Sequence, residues 1–109
     1  MTASNWTIIT VSYNSSADLQ QWWAAETPKP YRWIVVDNGS TDDSVAVARG
    51  LGAEVITQAE NLGFATANNA ALALVETPYV AFVNPDVSVN ATDLPRLAEM
   101  SRTHGAVVA

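Results

Sequence analysis

Four short apolar runs set the fold: WTIITV at 6–11, RWIVVD at 32–37, EVIT at 54–57 and YVAFVN at 79–84. Segments with helical spacing and helix-start chemistry separate them. The run at 32–37 is apolar almost throughout, the pattern of a strand covered on both faces. After the first run, Ser15, Ser16 and Asp18 open a helix in which Leu19, Trp22 and Trp23 recur at helical spacing. Strands alternating with helices form βαβ units around a parallel sheet. Right-handed crossovers put helices on both faces. The expected fold is therefore α/β, a three-layer α/β/α sandwich with a mostly parallel sheet, one Rossmann-like half of a doubly wound architecture. The usual order for such a half is 3-2-1-4.

The remaining elements follow the same signals. Ser40 or Thr41 caps the second helix, with Asp42 and Asp43 in its first turn, where the helix dipole favours negative charge. Gly50 or Gly52 ends it. Asn61, Leu62 and Gly63 turn into an Ala-rich helix over about 64–75. Thr92 caps a fourth helix, and a fifth strand begins at 106–109. The 109 residues suit one domain, 1–109, with a single core. Trp22 and Trp23 are read as packing residues, with at least one of them partly exposed.

Composition removes several functions. There is no cysteine, which excludes disulfides and thiolate metal sites, and the one histidine, His104, leaves little room for a His-based centre. Eleven acidic residues against five basic ones argue against nucleic acid, whose phosphates need clustered Lys and Arg. The apolar runs are too short to span a bilayer, and the N-terminus lacks a secretory pattern. The expected location is cytoplasmic. Glycosylation triplets at Asn5, Asn14, Asn38 and Asn90 then carry no meaning.

Two apolar runs end in carboxylates, Asp37 directly and Asp86 just after Asn84-Pro85. In a parallel sheet the strand ends share one rim, and ligands bind outside it where strand order reverses. Asp37 and Asp86 are therefore expected to emerge from the core at that rim, with Tyr13 and Asn14 beside them. Each alone is an ordinary turn residue; together they suggest a site. Phosphate-loop chemistry is missing, because the single lysine, Lys29, follows no Gly-rich loop, and Gly50-Leu51-Gly52 lies after a helix rather than before one. Lys29, Arg32, Arg49 and Arg102 fall at the opposite rim, and only Arg96 could approach the crevice. A diphosphate ligand would thus need a divalent metal, Mg or Mn, held by a carboxylate such as Asp86 and completed by phosphate oxygens and water.

Four segments, VSYNSS (11–16), IVVDNGSTDDS (34–44), ENLGFATANNAAL (60–72) and YVAFVNPDVSV (79–89), together resemble the N-terminal half of a family 2 glycosyltransferase of the GT-A fold. The version with VDNGS, NLGFA-xx-NN and NPD resembles its rhamnosyltransferase-like branch. The resemblance implies a nucleotide-diphosphate sugar donor, UDP- or dTDP-linked, and a saccharide or glycan-precursor acceptor. It implies that Val11 contacts the base through its backbone, that Tyr13 packs on the base, and that Asp37 accepts from a base imide N–H. Asn38, Gly63 and Asn69 join the donor site, and Asn84 meets a ribose hydroxyl or a metal-bound water. Asp86 keeps the metal role of the family's Asp-X-Asp motif, while Asn84 replaces the first Asp. Asn68 stands where many relatives carry arginine.

The family's catalytic domain is longer, and its second half supplies the acceptor site and the general base. No catalytic base is assigned, since Asp42 and Asp43 are explained as helix charges. The expectation is a donor-binding part shortened at its C-terminus, inactive alone, whose open sheet edge favours a homo-oligomer. The alternative is a non-catalytic binding or self-assembly module on a degenerate GT-A fold. A sugar-1-phosphate nucleotidyltransferase fits less well, because Tyr13-Asn14-Ser15-Ser16 is neither Gly-rich nor basic.

Overall fold

The computed structural model describes residues 3–25, 29–87, 89 and 94. Four strands, Trp6–Ser12 (β1), Arg32–Asp37 (β2), Glu54–Thr57 (β3) and Tyr79–Phe82 (β4), alternate with three helices, Ser16–Trp23 (α1), Ser44–Gly50 (α2) and Phe64–Leu72 (α3). The sheet order is β3-β2-β1-β4, and every pairing is parallel. The expected fourth helix and fifth strand lie outside the described residues.

Alternation along the strands builds two cores. Trp6, Ile8, Trp33 and Val35 face α1 and α2, where they meet Leu19, Trp23 and Ala48. Ile9, Ile34 and Val36 face α3 and pack on Ala67 and Ala71. β2 is buried on both faces, which explains its unbroken apolar sequence. Fully burying one such side chain contributes about 1.5–3 kcal/mol.

The larger core is organised by tryptophans. Trp23 and Trp33 stack with ring centroids 4.3 Å apart and planes 8° apart. A buried indole N–H usually finds an acceptor, and Trp33 Nε1 donates to Thr10 Oγ1 at 3.0 Å, whereas that of Trp6 has none. Trp23 is 2% exposed, whereas Trp22 beside it is 39% exposed, as one-sided helix packing requires.

Three boundaries differ from the sequence reading. α2 begins at Ser44 rather than near Ser40, so Asp42 and Asp43 precede the helix instead of lying in its first turn. Residues 40–42 are held instead by side-chain acceptors across the loop. α3 ends at Leu72, after which Leu74 and Val75 donate to residues three back, a tightened last turn. β4 ends at Phe82, and one further bond, from the Val83 N–H to the Ile9 carbonyl at 2.9 Å, continues its ladder.

Candidate donor site at the strand carboxyl ends

β1, β2 and β4 run the same way, so Ser12, Asp37 and Phe82 end on one rim. Ser12 is level with Asp37. The order reverses between β1 and β4, where an open α/β sheet offers its crevice. Tyr13, Asp37, Asn38, Asn84 and Asp86 all lie on this rim, and it is β1 that separates the first carboxylate from the second.

Val11 has a distinct place. The Asn38 N–H donates to the Ser12 carbonyl at 2.8 Å, so Ser12 directs its backbone groups toward β2. Backbone direction alternates along a parallel strand. Val11 therefore directs its N–H and carbonyl toward the β4 side, one rung beyond the bond at Ile9. Its side chain is half-buried against the α3 core.

The two rim loops are latched together. Asn14 adopts φ +49°, a left-handed conformation that asparagine tolerates. Its N–H donates to Ser40 Oγ at 2.8 Å. Its Oδ1 accepts from the Thr41 N–H at 2.8 Å, and from the Thr41 hydroxyl and the Asp42 N–H at 3.3 Å each. Ser40 in turn donates its hydroxyl to Asp37 Oδ1 at 2.6 Å and its N–H to Asp37 Oδ2 at 2.9 Å. The loop carrying Tyr13 is thus tied to Asp37 through a single serine hydroxyl. Gly39 lets the loop pass at φ +84°, and a Cβ there would meet Glu60 Cα at 3.0 Å.

This geometry corrects one expectation. Asp37 does not emerge from the core; it is 3% exposed and both its oxygens engage the turn that follows. Tyr13, by contrast, is 51% exposed. Asp86 and Asn84 are exposed, on a turn closed by the Val87 N–H donating to the Asn84 carbonyl at 3.2 Å.

On α3 the two asparagines part. Asn69 is exposed, while Asn68 is 9% exposed and its Oδ1 has no donor. The sequence had chosen Asn69. The helical period that sets Ala67 and Ala71 on the sheet carries Asn68 with them. Asn38 is also buried, donates Nδ2 to the Gly63 carbonyl at 3.4 Å, and leaves its Oδ1 without a donor. Gly63 precedes α3 at φ +92°, its N–H held by Asn61 Oδ1 at 2.9 Å.

Asp42 tunes the neighbouring loop. Burial raises its carboxyl, but bonds from the Ser44 hydroxyl and from the Ser44 and Ser16 N–H groups outweigh that and lower it below the ordinary carboxylate value. The described arginines lie away from this rim. Arg32 opens β2 at the far end and pairs with Glu54 at 2.9 Å, and Arg49 sits in the last turn of α2. Arg96 and Arg102 lie outside the described residues.

Among the described residues no group of three or more His, Cys, Asp or Glu side chains could hold a metal ion. Asp86 offers one exposed carboxylate, a donor set that would suit only a cation bringing phosphate oxygens and water to complete its shell. No described helix is long and apolar enough to cross a membrane.

Comparison with known proteins decides the family. The profile described as Glycosyl transferase family 2 matches residues 7–109. The chain belongs to glycosyl transferase family 2. An uncharacterized glycosyltransferase of Mycobacterium bovis is 42% identical over 79 residues, 72% of this chain and 36% of the relative. Counterparts in two Mycobacterium tuberculosis strains give the same figures. The family 2 chain thus spans about a third of these relatives. Staphylococcus aureus TarS 1–349, in complex with UDP-GlcNAc, superposes with TM-score 0.71 at 24% identity, over 92% of this chain and 32% of that one. A mannosyltransferase of Pyrobaculum calidifontis, in complex with GDP-Man and Mn2+, gives 0.69 at 23% identity, over 82% and 29%. At these identities the structures establish the shared fold.

Proposed function

We propose that the chain is the donor-binding part of a glycosyltransferase that moves a sugar from a UDP- or dTDP-sugar to an acceptor hydroxyl with a divalent metal, Mg or Mn. In that transfer the bond from the anomeric carbon to the diphosphate breaks and one to the acceptor oxygen forms. The acceptor is a saccharide or glycan precursor, and the NPD version of the metal motif favours the rhamnosyltransferase-like branch. The base that takes the acceptor's proton is not among the residues assigned here, so the chain alone binds without turning over. A cytoplasmic setting belongs to the same reading.

One observation carries it: Tyr13, the backbone of Val11, Asp37 and Asp86 share the rim where strand order reverses, and no described cation lies there. A ring face for a base, a buried carboxylate beside it and an exposed carboxylate across the crevice match the parts of a nucleoside diphosphate bound with a metal. Asn38, Gly63 and Asn84 line the same rim. Asn69, exposed on α3, reaches the ligand from that helix, and Asn68 lies one position inward.

Titration calorimetry with UDP, dTDP and GDP, with and without Mn2+, tests the reading. Binding that Mn2+ strengthens and Asp86→Ala abolishes supports it. Silence across the panel overturns it in favour of a non-catalytic assembly module.

A further inference from the structure

Trp23 closes α1, far in sequence from the Asn84-Pro85-Asp86 turn, yet its indole Nε1 donates to the Pro85 carbonyl at 2.9 Å. The donor is not a mobile surface group. Trp23 is 2% exposed and stacks on Trp33 at 4.3 Å. Lys29 lies over the other indole of the pair, Nζ 5.3 Å from the Trp33 ring centroid, and also donates to the Trp23 carbonyl. Trp33 is anchored to β1 through Thr10. A rigid aromatic pair, fixed to the sheet, thus ends in one hydrogen bond to the residue preceding Asp86.

The rest of the turn is lightly held. Val83 and Val87 pack on the larger core at either side, and the bond from Val87 to Asn84 closes the turn. Asn84 and Asp86 themselves are exposed. Resting on the donor-site reading above, we propose that Trp23 is a positioning residue. It fixes the 84–86 turn and so the direction of the Asp86 carboxylate toward a divalent cation arriving with a nucleoside diphosphate. Placement matters more here than in a multi-carboxylate site, because no group of three or more described His, Cys, Asp or Glu side chains is available to hold the ion.

The test uses the whole chain and two conservative variants. Trp23→Phe keeps a stacked ring but removes the N–H; Trp33→Phe removes the other indole N–H and serves as a packing control. UDP affinity is measured by calorimetry with Mn2+ and with EDTA, and amide hydrogen exchange is followed at Val87. Trp23→Phe is expected to weaken the Mn2+-dependent part of UDP binding about fivefold, the factor equivalent to one net hydrogen bond. Binding in EDTA stays as in the parent, and Val87 exchange rises by about the same factor. Trp33→Phe loosens the stack but keeps the bond to Pro85, so it changes each of these by less than half as much. Should Trp23→Phe not fold, benzothienylalanine at position 23, an indole isostere lacking the N–H, takes its place.

An unchanged Mn2+ increment in a folded, UDP-binding variant overturns the proposal, as does an equal loss in Trp33→Phe. If the parent chain binds no UDP at all, the donor-site reading falls, and the metal role of Trp23 with it. That case is recognised because Trp23→Phe still accelerates Val87 exchange.

Discussion

Substituting Asn14 separates two physical effects in the latch between the rim loops. At φ +49° an alanine carries the left-handed penalty, about 1–2 kcal/mol. It also removes Oδ1, the acceptor for Thr41 and Asp42. Thr41 and Asp42 are exposed, so water replaces the lost acceptor and the net loss is about 1 kcal/mol. Asn14→Ala should therefore destabilise by about 2–3 kcal/mol. Glycine loses the same acceptor but accepts the backbone angle, and its unfolded-state freedom adds roughly 0.5–1 kcal/mol. Asn14→Gly should then sit about 0.5–1 kcal/mol above Asn14→Ala. Equilibrium urea unfolding with a common m-value reads both. In heat the alanine variant should melt about 9–13 °C lower, taking about 2.1 cal/mol/K per residue over 109 residues. Alanine as stable as glycine would refute the backbone argument. Both within about 0.5 kcal/mol of the parent, the range of ordinary surface changes, would refute the latch.

Three further outcomes follow from the same region and from the sheet. The folded Asp42 carboxyl lies below its ordinary value, so its contribution is present above the unfolded value and lost as pH falls through the folded one; Asp42→Asn should flatten the loss of stability below about pH 5, and an unchanged acid limb counts against this. Gly39→Ala combines a positive φ with a Cβ 3.0 Å from Glu60 Cα and 3.1 Å from its carbonyl carbon, backbone that cannot rotate away; thermal denaturation should show a loss of about 2–4 kcal/mol, and a near-neutral result contradicts the close approach. β4 pairs only with β1 among the described residues, and we propose self-association through that edge; a purely monomeric sedimentation profile at high concentration argues against it.

The sheet was legible because its signals are local. β2 and β3 fall at 32–37 and 54–57 as read, since three consecutive β-branched residues in each, bounded by turn residues, favour a strand. The order β3-β2-β1-β4 came from the fold-level prior and agrees with the pairing. The α2 start was missed because capping rules see Ser40 and Thr41 as local residues, whereas their N–H groups serve Asp37 and Asn14, the latter across the loop. The buried state of Asp37 was missed for the same reason: its partner is Ser40, whose own position depends on Asn14. The Trp23 bond to Pro85 joins residues 62 positions apart, and no pattern in either segment announces it. Asn68 was the one hidden residue with a readable sign, since it shares the inward face of α3 with Ala67 and Ala71.

Of the two interior strands, β1 is the first one made. β1 receives β2 on one side after about 25 residues of further chain, from the Thr7 to Arg32 register. Its other side meets Tyr79 opposite Trp6, a separation of 79 − 6 = 73 residues. During synthesis, then, one flank of β1 stays open until residues 79–82 have left the ribosome. Such a long closure is slow to form, and an exposed strand edge in the meantime invites pairing with other nascent chains. The topology that opens a crevice between β1 and β4 thereby also makes the docking of β4 a later step than the docking of β2.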